Sequence, residues 1–193
     1  MTAAGTGGPS QAQPAAILIG PPGAGKTTVG ALVAALLGLD FVDTDVVIEQ
    51  AAGKPVGDIF VQDGEKAFRA LESATAARLI AGHPGVLALG GGAILDPGTR
   101  DLLAGQRVVY LETGFSSAVR RTGLDAPRPL LLGNPRARMK ALLEERLPVY
   151  ASLAWITVPT DDRKPEEIAA EIAARLAPGA RNGNGHGPAV AQP

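Results

Sequence analysis

Residues 20–28 read Gly-Pro-Pro-Gly-Ala-Gly-Lys-Thr-Thr, which fits G-x-x-x-x-G-K-[ST] with residue types suited to holding phosphate. Gly20, Gly23 and Gly25 allow positive φ and let the backbone approach a ligand with no Cβ in the way. The amides of this stretch then form a nest for anions, and the helix that follows adds its positive end. Lys26 reaches outer phosphates, and the Thr27 hydroxyl can hold a magnesium ion. A short apolar run, Ala-Ala-Ile-Leu-Ile, precedes the motif, and a helical run follows it. That strand–loop–helix context separates the motif from a chance glycine-rich turn. The nucleotide-binding residues are therefore Gly23, Ala24, Gly25, Lys26, Thr27 and Thr28, and the ligand is a nucleoside triphosphate.

Three further groups can do chemistry. Asp43 and Asp45 flank Thr44, just beyond a short apolar run. One of them can cap the helix that begins there. The other is free to serve magnesium, which prefers hard oxygens, or to contact a substrate hydroxyl. Glu65, Arg69 and Glu72 lie at i, i+4 and i+7 and so share a helix face. That spacing by itself favours a solvated ion-pair stripe, worth about a few tenths of a kcal/mol. An arginine pinned between two carboxylates is also oriented in advance to grip a substrate carboxylate. Gly90, Gly91 and Gly92 follow a third apolar run and permit a close backbone approach to a small ligand. Residues 121–133 mix Gly, Pro and Arg without a period. In a phosphoryl-transfer enzyme such a loop is a lid, and Arg128, between two prolines, is its candidate for the transferring phosphate.

These residues need elements to position them. Short apolar runs at 15–19, 40–42, 86–89, 107–111 and 154–158 read as strands. Helical patterns cover 26–37, 44–52, 64–81, 97–104, 116–122, 134–147 and 165–176, with Asp63 as the expected cap of the third. Such alternation predicts an α/β fold whose parallel sheet is covered on both faces. Ligands in such sheets bind beyond the carboxyl ends of the strands. The phosphate loop, Asp43-Thr44-Asp45 and the glycine run each follow a strand, so all three gather at one edge. Residues 1–13 and 178–193 carry too little apolar content to fold and read as disordered tails. They flank a single domain over 14–177, with the lid at about 122–134.

Composition narrows the class of function. A chain of 193 residues, 46% of them hydrophobic, supports one globular domain, and no apolar run is long enough to span a bilayer. The first basic residue is Lys26, so the amino terminus lacks the charged start of a signal peptide. Cysteine is absent, which removes disulfides, thiolate metal sites and cysteine nucleophiles. The cytoplasm is the expected compartment. A net charge of -1 and 4% aromatics offer neither a field nor a stacking surface for nucleic acid, and no attraction to an anionic membrane. Arginine is concentrated at Arg120, Arg121, Arg128, Arg136, Arg138 and Arg146, and it suits bidentate grip on phosphate and carboxylate. Arg136 and Arg138 read as a solvated helix face.

Taken in order, GPPGAGKTT, DTD, DGEKAFRALE, LGGGA, RPLL, RLPVY and TDDRKP resemble the shikimate kinases, a branch of the nucleoside-monophosphate-kinase-like P-loop enzymes. The likeness covers roughly residues 15–176, and the combination of DTD, FRxxE and GGG is its most selective part. It implies transfer of the ATP γ-phosphate to the 3-hydroxyl of shikimate, by a monomer with a five-stranded sheet of order 2-3-1-4-5. Lys26 and Thr27 would then serve the phosphates and Mg2+, with Asp43 assisting the ion. Asp45 would contact the reacting hydroxyl and orient or deprotonate it. Arg69 and Arg146 would clamp the shikimate carboxylate beside Gly90, Gly91 and Gly92, with Gly91 presenting its amide. Arg128 would be the lid arginine, and Arg121 and Arg163 would flank the adenine. Gluconate and nucleotide kinases share the cradle and the lid. Gluconate kinases carry DGD and a histidine after the second strand, where this chain has DTDVV. A non-catalytic ATP-binding module would be expected to have lost the lysine, an aspartate or the lid arginine, and all are present.

Overall fold

The computed structural model describes residues 13–123 and 135–177. Five strands, β1 (Ala16–Ile19), β2 (Phe41–Asp43), β3 (Val86–Ala88), β4 (Val108–Glu112) and β5 (Ile156–Pro159), form one sheet of order β2-β3-β1-β4-β5. Every pairing in it is parallel, with Ile17 opposite Leu87 on one side and Val108 on the other. The expected order and class are those observed.

Strand periodicity builds the layers. Ala16 and Leu18 face one side, where Val29 and Val33 of α1 (Lys26–Leu37) meet Ile168 and Ile172 of α8 (Pro165–Leu176). Ile17 and Ile19 face the other, packed with Ala76, Leu79 and Ile80 of α4 (Glu65–Gly82) and Leu103 of α5 (Pro97–Leu103). The α7 helix (Pro135–Leu153) adds Tyr150 to that face. Since β1 is central, both faces of its side chains are out of water, and its sequence reads as an unbroken apolar run.

A smaller unit covers the β2 edge. The α2 helix (Thr44–Ala52), α3 (Val56–Gln62) and the start of α4 share a cluster of Ile48, Ile59 and Phe68. The α3 helix was not expected. Asp63, expected to cap α4, instead closes α3 and pairs with Lys54 at 2.7 Å. Gly64, at φ 85°, takes the position before α4. A second difference lies in α7, which runs six residues past the expected end at 147 and contains Pro148. A proline inside a helix costs about 3 kcal/mol. Pro148 is exposed, while Tyr150 two residues on is fully buried and stacked on Tyr110 at 5.3 Å and 15°. That packing holds the helix together beyond the proline. The α6 helix (Phe115–Arg121) is the last described element before residue 124.

Among the described residues, no helix is long and apolar enough to cross a membrane. The expected tails, apart from residue 13, fall outside those residues, as do most of the expected lid and Arg128 with it.

Candidate active site

Because β2, β3 and β1 are adjacent and parallel, the three segments that follow them share one edge of the sheet. The phosphate loop leaves β1 and enters α1 at Lys26. Gly23 holds φ 80°, and a Cβ there would lie 2.8 Å from the Ala118 carbonyl of α6. Gly25 precedes α1 with no side-chain cap, and the first turn carries no acidic residue. The first amides of α1 are thus left to an external anion, together with the positive end of the helix. Ala24 is buried beneath the loop, and Thr27 and Thr28 are exposed above it.

Lys26 lies back over the loop, its Nζ donating to the carbonyls of Gly20 at 2.8 Å and Pro21 at 3.2 Å. Loss of water around the ammonium lowers its pKa, while Asp45 and then Asp43 pull the other way. As expected, one aspartate caps α2 and the other is left over. Asp43 takes two tasks at once: one oxygen accepts from the Asp45 amide at 3.0 Å and caps α2, and the other accepts from the Thr27 hydroxyl at 2.6 Å. A hydroxyl and a carboxylate side by side at a phosphate cradle are the hard donors a magnesium ion takes along with waters and phosphate oxygens.

Asp45 is left free. Its Oδ1 is buried with no hydrogen-bond partner. Burial pushes the carboxyl up to about 6, Asp43 adds to the shift, and the Lys26 charge restrains it. A carboxylate poised near neutral pH beside a lysine ammonium can take a proton from a hydroxyl placed between them.

On the far side of Asp45 stand the glycines. Their backbones need no positive φ. They are glycines because side chains press against them. A Cβ at Gly90 would meet Asp45 Oδ1 and Glu72 Oε1, each at 2.6 Å, and one at Gly92 would overlap the Arg69 guanidinium. The Gly90 amide donates to the buried Thr44 hydroxyl at 2.9 Å, which ties the second and third strand ends together. Among the described residues the amides of Gly91 and Gly92 donate no intramolecular bond and stay available.

Arg69 is not part of a surface stripe. Glu72 is 3% exposed, and its Oε2 accepts from Arg69 Nη1. Glu65, 69% exposed, sits 3.5 Å from Nη2. The guanidinium also lies over Phe60 at 5.6 Å and Phe68 at 5.3 Å, so one partly buried ion pair and two rings fix its direction. A cavity of about 330 Å³ opens beside it, walled by Arg69, Glu72, Gly92 and Leu95 among others, in the size range of small-molecule sites. Arg146, 8% exposed, comes in from α7 and donates Nη1 to the Gly91 carbonyl at 3.1 Å, while its Nε has no partner.

On the nucleotide side, Arg121 bridges the phosphate loop and the segment after β5. It donates to the Gly23 carbonyl at 3.3 Å and to Thr160 Oγ1 and O at 3.1 and 2.7 Å. Arg163 is held by the Pro159 carbonyl at 3.0 Å and Glu171 at 2.8 Å, so its described contacts stay within β5 and α8. The two arginines expected at the adenine are thus engaged differently, and only Arg121 touches the phosphate loop.

The shikimate kinase family model matches residues 22–177. The chain belongs to the shikimate kinase family. A shikimate kinase from Thermobifida fusca is 63% identical over 85% of this chain and 95% of its own length. One from Salinispora arenicola is 55% identical over 85% and 98%. Among solved structures, the shikimate kinase from Acinetobacter baumannii in complex with shikimate superposes with a TM-score of 0.76. It is 39% identical over 84% of this chain and 92% of that one. The chain is accordingly an ATP-dependent kinase, a phosphotransferase, and the gluconate-kinase, nucleotide-kinase and non-catalytic readings fall away.

Three residues of this shikimate kinase site escaped the sequence reading. Thr44 was passed over between its aspartates. Glu72 was placed on the right helix face but read as solvated. Tyr150, inside RLPVY, was given no role, yet its hydroxyl donates to the Gly91 carbonyl at 2.6 Å. Thr44 and Tyr150 find their partners far along the chain, and Glu72 is buried where its helix meets Gly90.

Proposed function

We propose that this shikimate kinase joins the γ-phosphoryl group of ATP to the 3-hydroxyl of shikimate through the residues gathered at this edge. The α1 terminus and Lys26 take the phosphates, with Lys26 exchanging its carbonyl partners for phosphate oxygens. Thr27 and Asp43 would hold Mg2+, which supplies positive charge against the phosphates. Asp45 accepts the hydroxyl proton as the new O–P bond forms and the bond to ADP breaks. Arg69 and Arg146 grip the carboxylate, with the free amides of Gly91 and Gly92 against the ring. Arg121 and Arg163 border the adenine.

The observation that carries this reading is the position of Asp45. Its partnerless oxygen lies between Lys26 and the buried Glu72 that pairs with Arg69. Shikimate presents one carboxylate and several hydroxyls, which two arginines, one aspartate and glycine amides complement. Most of the catalytic demand in phosphoryl transfer is alignment and charge stabilisation. The test is ADP release with purified protein. ADP should form only when ATP, magnesium and shikimate are all present, and comparable turnover with gluconate or a nucleoside monophosphate would overturn the assignment.

A second measurement addresses the clamp. Arg69→Ala removes a charge-assisted contact worth about 1.5–3 kcal/mol, so shikimate should bind roughly 10- to 150-fold more weakly. ATP affinity should change little. Calorimetry showing both ligands weakened equally would make Arg69 a structural residue. The melting temperature should drop as well, because Glu72 is left buried without its partner.

A further inference from the structure

The glycine turn has no side chains of its own with which to hold its shape, and glycine backbones lose the most freedom on ordering. It is fixed from outside at two points. One is the Gly90 amide on Thr44. The other is the Gly91 carbonyl, which accepts from Tyr150 Oη at 2.6 Å and Arg146 Nη1 at 3.1 Å. Tyr150 is itself immobile. It is fully buried, lies one helical turn beyond Arg146 on α7, and stacks on Tyr110 of β4. Burial pushes its phenol up to about 12, so the hydroxyl remains a donor across the working pH range.

We propose that Tyr150 is a positioning residue for substrate recognition, its hydroxyl locking the Gly91 carbonyl so that Arg146 and the glycine amides face the substrate carboxylate in fixed geometry. The carbonyl oxygen has two lone pairs and uses both. With the tyrosine donor present, the peptide plane is set by the rigid core, and Arg146 meets a stationary acceptor. That holds the guanidinium, whose buried Nε has no partner of its own, in one orientation. Without it, the only tie on the carbonyl is Arg146 itself, and turn and guanidinium can swing together. The effect then belongs to ground-state binding of one substrate and leaves the phosphate side untouched.

This inference rests on the substrate placement given above, and the experiment separates the two. Tyr150→Phe keeps the ring, the burial and the stack and removes only the hydroxyl. Loss of one neutral hydrogen bond at the site should raise the shikimate Kd and KM roughly 2- to 12-fold, with the ATP KM and saturating kcat near wild type. Tyr110→Phe is the control: it deletes a buried hydroxyl in the same stack that has no partner, and shikimate affinity should not move. If Tyr150→Phe lowers only the melting temperature, or weakens ATP and shikimate alike, Tyr150 is structural and the inference is overturned. Arg69→Ala, run alongside, distinguishes the failures. A shikimate affinity unmoved by Arg69→Ala removes the substrate site itself, whereas one moved by Arg69→Ala but not by Tyr150→Phe removes Tyr150 alone.

Discussion

Arg128→Ala should cut kcat by about 10³- to 10⁵-fold, the range that contributed arginines supply in phosphoryl transfer, while shikimate affinity stays near wild type. Arg128 lies outside the described residues, so its role comes from the resemblance of RPLL to the family lid and from what brackets it. The described residues just before the segment already touch the phosphate loop: Arg121 donates to the Gly23 carbonyl, and Gly23 packs against Ala118. An arginine that meets the γ-phosphoryl group most fully during transfer stabilises the transition state more than the ground state, so its loss falls on turnover. Arg128→Lys should restore little, since an ammonium lacks the planar, forked donors. Steady-state kinetics with both variants decide the matter. Retention of most activity in each would mean that the arginine faces water.

What the sequence disclosed and what it withheld divide along chain distance. The phosphate loop was legible because its glycines, lysine and threonine are local, and the sheet because each strand is a short apolar run between helical patterns. Strand order then brought Asp43, Asp45 and Gly90–Gly92 to one edge with no further information. The contacts that make this edge a site are long-range. Thr44 reaches Gly90 across 46 positions, and Arg146 and Tyr150 reach Gly91 across 55 and 59. No local pattern announces them. Glu65 and Glu72 are equivalent by helical spacing, yet one is exposed and the other buried, because only Glu72 lies against the end of β3 at Gly90. The α3 helix is seven residues long with one buried side chain, Ile59, too short for periodicity to register. The expected helix ended at 147, and the tertiary stacking of Tyr150 explains why α7 continues through Pro148.

Asp45→Asn should cost about 10²- to 10⁴-fold in kcat, the usual worth of a positioned general base, and it should also make the protein more stable at neutral pH. The second effect follows from burial. Folded Asp45 titrates at about 6 rather than 3.8, so between those values the folded state holds a proton that the unfolded chain has released. Stability from this group is intact below about pH 4, is lost as pH rises through 6, and stays lost above it. The shift of about two units, in which the attraction to Lys26 is already included, corresponds to about 3 kcal/mol at most. A neutral amide of the same shape carries no such penalty. The variant's advantage in denaturant unfolding should therefore be absent near pH 4, grow through pH 6 and level off by about pH 8. Wild-type kcat/KM should fall in parallel below about pH 6, as the base becomes protonated. A variant that keeps its turnover would remove Asp45 from the proton transfer. A stability gain equal at pH 4 and pH 8 would mean that the carboxylate is not strained, and its burial between the lysine and the glycines would no longer account for its reactivity.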